Sequence, residues 1–174
     1  FSYFLMVEEY IEKGLIKQGN FLLKSGEKSN MYIDLKSIIS YPQLHKKICN
    51  ELIKKFDSKL KYNTLCGTPY GALPFTSYIS ISQNIPMVLL RKEQKKYGTG
   101  KRIEGVYNKN NKVILLEDVI TTGESVEAAA QVLEDYGLEI VQIISVFSRS
   151  KDRNLKYNHI PIEYLYHSDD IKFD

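Results

Sequence analysis

Cysteine and histidine are scarce in this chain. Two cysteines, Cys49 and Cys66, and three scattered histidines, His45, His159 and His167, are all that its 174 residues contain. Neither cysteine has a partner at metal-ligand spacing, so a disulfide framework and a zinc site are both excluded as organising devices. Each thiol reads instead as a small buried apolar residue in a reducing compartment. No run approaches the ~20 apolar residues of a membrane span. The start, FSYFLMVEEYIEKG, carries acids where a signal peptide carries bases. Position 1 is Phe rather than Met, which points to a trimmed chain or a piece of a longer protein. Charge of one sign is also lacking. Lys and Arg total 24 against 21 acids, a net +3, too small an excess for a nucleic-acid protein but compatible with an anionic ligand.

What is present is ordinary globular material, 43% hydrophobic and 26% charged, with the length of one domain. Phe4, Leu5, Val7 and Ile11 predict a short amphipathic helix over 2–13, closed by Gly14. Two short strands follow around FLLKSG and at 30–35. Pro42 opens a helix to about residue 56, with Leu44, Ile48, Leu52, Ile53 and Phe56 on one face. TLCG reads as a strand ending at Gly67, then a Pro/Gly turn and a helix to about 82. PMVLLRK, VILLED and IVQIISVFS read as buried strands. VEAAAQVLEDY reads as a helix capped by Gly137. The alternation predicts an α/β fold with a mainly parallel sheet. Between two strands lies EQKKYGTGKR, about ten polar residues, a length that is usually functional or disordered.

VILLEDVITTGES, residues 113–125, is the most informative stretch. An apolar strand runs into two acids, then a turn of small residues, then a helix. In open α/β sheets ligands sit beyond the carboxyl ends of the strands. A small-residue turn at a helix N-terminus offers amide donors to a phosphate. Thr121, Thr122 and Ser125 add hydroxyls. Glu117 and Asp118 suit the donor hydroxyls of a sugar diol. The same residues also fit an ordinary strand–turn–helix connection with an acidic cap. Walker, nucleophile-elbow and dinucleotide fingerprints are missing.

This segment resembles the phosphoribosyl-pyrophosphate signature of type I phosphoribosyltransferases. FLLKSGEKSNMYIDLK (21–36), GTPYGALP (67–74) and RKEQKKYGTGKRIEG (91–105) narrow the resemblance to the orotate phosphoribosyltransferase family, closest in look to the form in bifunctional UMP synthases. The matches run in family order over about residues 19 to 150. The resemblance implies the type I fold, a parallel sheet flanked by helices with a small N-terminal hood. It implies one domain over 1–174, the hood taking 1–36 and the core 37–174.

The resemblance also implies roles. Lys24, Lys95 and Asp118 would be catalytic. Lys24, Tyr32, Ile33, Thr121 and Arg149 would meet orotate, Arg149 through its carboxylate, although Ile33 reads equally well as core packing. Tyr70, Gly71, Arg91, Lys92, Lys95 and Tyr97 would meet pyrophosphate. Glu117 and Asp118 would hold the ribose, and Val119, Ile120, Thr121, Thr122, Gly123, Glu124 and Ser125 would surround the 5-phosphate. Mg²⁺ would come in largely on substrate oxygens rather than in a protein cage. A cytoplasmic homodimer is implied, with loop 91–102 reaching the partner's site, without nucleic acid or membrane, and with an orotidine-monophosphate decarboxylase fused or separate. Lys36, Asn30, Tyr97 and the SKDRN run after Arg149 depart from the family pattern. Three other readings stay open: a different base specificity, a non-catalytic regulator that binds phosphoribosyl pyrophosphate, and a fragment of a UMP synthase with its decarboxylase beyond Asp174.

Overall fold

The structure, a computed structural model, describes residues 3–23, 26–93 and 100–173. Helix α1 (Tyr3–Glu12) ends at Gly14, whose φ of 70° suits a glycine. Strands β1 (Ile16–Leu22) and β2 (Lys28–Ile33) pair antiparallel as a separate two-stranded sheet, with an irregularity between Gln18 and Phe21. A 3-10 helix, Leu35–Ser40, follows. Its cap is Asp34, which accepts from the Lys36 amide at 3.1 Å and the Ser37 hydroxyl at 2.9 Å. Pro42 starts α2 (Pro42–Lys54), where a missing amide costs nothing.

The remaining strands form one seven-stranded sheet: β3 (Thr64–Gly67), β4 (Met87–Leu90), β5 (Ile103–Glu104), β6 (Lys112–Ile120), β7 (Glu139–Ser148), β8 (Lys156–Tyr157) and β9 (Ile160–His167). Its order is β5-β4-β3-β6-β7-β9-β8. The central five strands run parallel, and the short β5 and β8 close the edges antiparallel. Helices α3 (Leu73–Gln83) and α4 (Glu124–Asp135) complete the crossovers.

Two apolar cores lie on the two faces of this sheet. One joins Leu65, Ile114, Leu116 and Ile144 to α2, α3 and the N-terminal elements. The other joins Cys66, Val113, Leu115 and Ile143 to α4. Alternation along β3 and β6 produces this split, because successive side chains leave opposite faces. Met6, Tyr10, Ile16, Met31 and Ile33 belong to the first core. The two-stranded sheet is therefore packed on the body of the protein.

The structure corrects some expected boundaries. Strand β6 continues to Ile120, so Glu117 through Ile120 are strand residues rather than turn residues. Their ladder partners on β7, Glu117 with Ser145 and Ile120 with Ser148, carry the strand on. Helix α4 starts at Glu124, two residues before the predicted start. The 3-10 helix and strands β5, β8 and β9 were not anticipated.

Candidate active site

The parallel strands β3, β6, β7 and β9 end at Gly67, Ile120, Ser148 and His167, all at one edge of the sheet. Eight of the expected site residues lie just past those ends, and Glu117 to Ile120 form the last residues of β6 itself. Thr68 to Gly71 follow β3, Thr121 to Ser125 follow β6, and Arg149 follows β7. Lys24, Lys95 and Tyr97 lie outside the described residues.

The adjacent acids of β6 separate. Glu117 is 4% exposed. Its Oε1 accepts from the Thr68 hydroxyl at 2.6 Å and the Asp118 amide at 2.9 Å. Its Oε2 accepts from the Ser125 hydroxyl at 2.6 Å. Asp118 is half-buried and lies against Gly71: a Cβ built on Gly71 would fall on its carboxylate. Glu117 thus brackets the ends of β3 and β6 to the start of α4, while Asp118 is the acid open to the cleft. The Ser125 hydroxyl, expected among the phosphate donors, is committed to Glu117. Thr121, Thr122 and Glu124 are exposed. Gly123, with φ 90°, is the N-cap of α4 and lets the turn fold back over Leu155. Val119 is half-buried and Ile120 is core, so both support the turn from below.

Burial raises the pKa of Glu117, and the neighbouring Asp118 raises it further, to about 8. The Ser125 and Thr68 donors oppose this shift without cancelling it. From about pH 4.5 to about pH 8 the folded protein keeps a proton that the unfolded chain has lost, so this group's contribution to stability falls as pH rises through that window. Glu117→Gln is expected to flatten the decline. Thermal melts at about pH 5 and about pH 8 measure it. The same loss of Tm in variant and parent would take the shifted proton away from Glu117.

Beyond the end of β3, Tyr70 is 56% exposed and the Lys92 Nζ sits 4.9 Å from its ring centroid. Two segments 22 residues apart are thereby brought together. The Pro69–Tyr70 peptide is cis. Arg91 pairs with Glu104, Nε to Oε1 at 2.7 Å. Its amide donates to the Arg102 carbonyl at 2.8 Å, and the Arg102 Nη2 donates back to the Arg91 and Lys92 carbonyls at 3.3 and 3.0 Å. These bonds close a stem from which the 93–100 segment departs.

Arg149 is half-buried and reaches across to β2. Its Nη2 donates to the Ser29 hydroxyl at 2.8 Å and the Met31 carbonyl at 3.3 Å. Burial lowers its pKa. Among the described residues its bonds go to neutral oxygens only, so a guanidinium charge stands available at the cleft. Tyr32 is 43% exposed and tilts against Phe21 at 5.5 Å between centroids. Ile33 leaves the opposite face of β2 and joins the core. Of the two side chains expected at the base, only Tyr32 stands at the surface.

Sequence reasoning missed Thr68 and Ser29. Thr68 had a signal, the first polar residue beyond a buried strand. Ser29 had none, because its partner is 120 positions away.

Residues 40–165 match the phosphoribosyl transferase domain, and the chain is a member of that class. The orotate phosphoribosyltransferase of Pyrococcus abyssi is 41% identical over 148 residues, covering 84% of this chain and 81% of the relative. A solved UMP synthase of Leishmania donovani superposes with a TM-score of 0.83 at 28% identity, over 97% of this chain and 37% of that one. The orotate phosphoribosyltransferase structure from Aeropyrum pernix superposes at 0.84 with 22% identity, over 94% of both chains, a likeness of fold. The chain belongs to the orotate phosphoribosyltransferase family.

Proposed function

We propose that this protein transfers the 5-phosphoribosyl group from phosphoribosyl pyrophosphate to orotate, giving orotidine 5′-monophosphate and pyrophosphate. The observation that carries the reading is Arg149: a half-buried guanidinium whose partners among the described residues are the neutral Ser29 hydroxyl and Met31 carbonyl of β2, at the strand ends that also hold Asp118 and the 121–125 turn. A ligand carboxylate fits that guanidinium. The neighbouring turn and the N-terminus of α4 fit a phosphate.

The ribosyl carbon leaves pyrophosphate with oxocarbenium character, so the site's main task is to stabilise a highly charged leaving group. Lys92 and Lys95 are assigned that role, and Tyr70, Gly71 and Tyr97 are assigned to the same pyrophosphate. Asp118 orients the ribose, and Glu117 holds the floor beneath it. Lys24 is assigned to the reacting centre on the family resemblance alone. Asp118 also offers a hard oxygen at the cleft, so Mg²⁺ carried on substrate oxygens finds a compatible neighbour there. When bound it neutralises pyrophosphate charge.

Residues 1–36 are read as a hood on the 37–174 core, supported by the separate β1–β2 sheet. Family membership supports a homodimer in which the 91–102 loop, held on its closed stem, serves the partner's site. No described helix is long and apolar enough to cross a membrane. The reading places the enzyme in the cytoplasm, passing its product to a decarboxylase, fused or separate.

The test follows orotate absorbance with phosphoribosyl pyrophosphate and Mg²⁺ added and omitted in turn. Loss of orotate that needs both is the expected result. Binding of phosphoribosyl pyrophosphate without loss of orotate would overturn the reading in favour of another base or a regulator.

A further inference from the structure

His167 takes no part in the site as described, yet it is 1% exposed and ends β9 directly beside Ser148. Its Nε2 lies 3.0 Å from the Ser150 carbonyl, and its Nδ1 accepts from the Asp169 amide at 3.2 Å. A carbonyl only accepts and an amide only donates, so these partners define the neutral tautomer with its proton on Nε2. The ladder explains the arrangement. Strand β9 stops at His167 while the chain of β7 runs on through Arg149 and Ser150. The Asp169 amide has turned inward to the ring. The imidazole therefore replaces the next backbone donor for a carbonyl whose residue is 6% exposed.

From the other side, the Arg149 amide donates to the Ile120 carbonyl of β6 at 2.8 Å. The backbone around Arg149 is thus pinned on both flanks: by β6 directly and by His167 through Ser150. The Ser150 amide donates to the Ser148 hydroxyl at 3.3 Å within its own segment, and Arg153 pairs with Asp170 at 2.7 Å, tying that segment to the one after β9 once more. An arginine carries many rotatable bonds. Its head group meets a small ligand reproducibly only if its own Cα is fixed.

We infer that His167 is a positioning residue for Arg149, setting affinity for the base through the Ser150 carbonyl; this rests on the reading of Arg149 as the partner of the orotate carboxylate. His167→Phe keeps a planar ring and removes the donor. His167→Gln carries an amide nitrogen at the reach of Nε2. His167→Asn offers an oxygen near Nδ1 but no donor at Ser150. Steady-state kinetics on the full chain with Mg²⁺ compare these with Arg149→Ala. The expected result is a rise of about tenfold in KM for orotate in the Phe and Asn variants, the scale of one lost buried hydrogen bond. KM for phosphoribosyl pyrophosphate stays near the parent value, and the Gln variant restores orotate affinity. Equal rises in both KM values without rescue by Gln mean a merely structural role and overturn the inference. So does an unchanged orotate KM in the Phe variant when Arg149→Ala raises it. If the Phe variant does not fold, the order of Gln and Asn decides, and Asn equal to or better than Gln overturns the inference. An unchanged orotate KM in Arg149→Ala overturns the reading beneath it instead.

Discussion

Gly71→Ala is expected to lower turnover by roughly a hundredfold, the scale of a small misplacement at a reacting centre, while the protein stays folded. The added methyl would occupy the space of the Asp118 carboxylate. Asp118 is a short side chain at the edge of a cleft, so it can swing away at modest cost to stability. Having swung, it no longer presents its oxygens at the proposed ribose position. Circular dichroism and a thermal melt establish folding, and the orotate absorbance assay establishes turnover. Parent-like turnover in a folded variant would remove Asp118 from the ribose site.

Lys95→Ala is expected to cost more in turnover than in binding. Removing one preorganised charge from a developing anion lowers kcat by roughly 10² to 10³. Loop 91–102 holds six basic residues and one acid, but those residues differ in position. The described Arg91 and Arg102 are spent on the stem, through Glu104 and the carbonyls of residues 91 and 92. Lys92 is drawn to Tyr70. Lys95 is read as the charge that reaches the leaving group in the transition state. Single-turnover measurements at saturating substrate isolate this step. A kcat unchanged by the substitution would move the role to another loop residue.

Local patterns carried much of this architecture. TLCG was legible as β3 to the residue, because four buried positions end in a glycine before a proline-rich turn. IVQIISVFS was legible as β7 because it is a long apolar, β-branched run. Strand β6 was cut short at Asp118, since two acids in a row read as the end of burial. In fact Glu117 is buried among three donors, which no local pattern announces. Strand β9, IPIEYLYH, went unread. It begins beside a proline, and only its tertiary neighbours β7 and β8 make it a strand. The candidate site was legible where it is a continuous segment, as in residues 117–125. It was illegible where it depends on pairs far apart in sequence, such as Arg149 with Ser29 and Thr68 with Glu117.

The split of the apolar interior by the sheet has a further consequence for the two thiols. Cys49 lies in the layer of α2 and Cys66 in the layer of α4, both fully buried, and burial pushes each thiol up to about 12. Alkylating reagents attack the thiolate, so the native protein is nearly inert to them. Each cysteine becomes reactive only when its own layer opens. The chain therefore carries two built-in clocks, one per face of the sheet, whose labelling rates report separately how often each half of the interior comes apart.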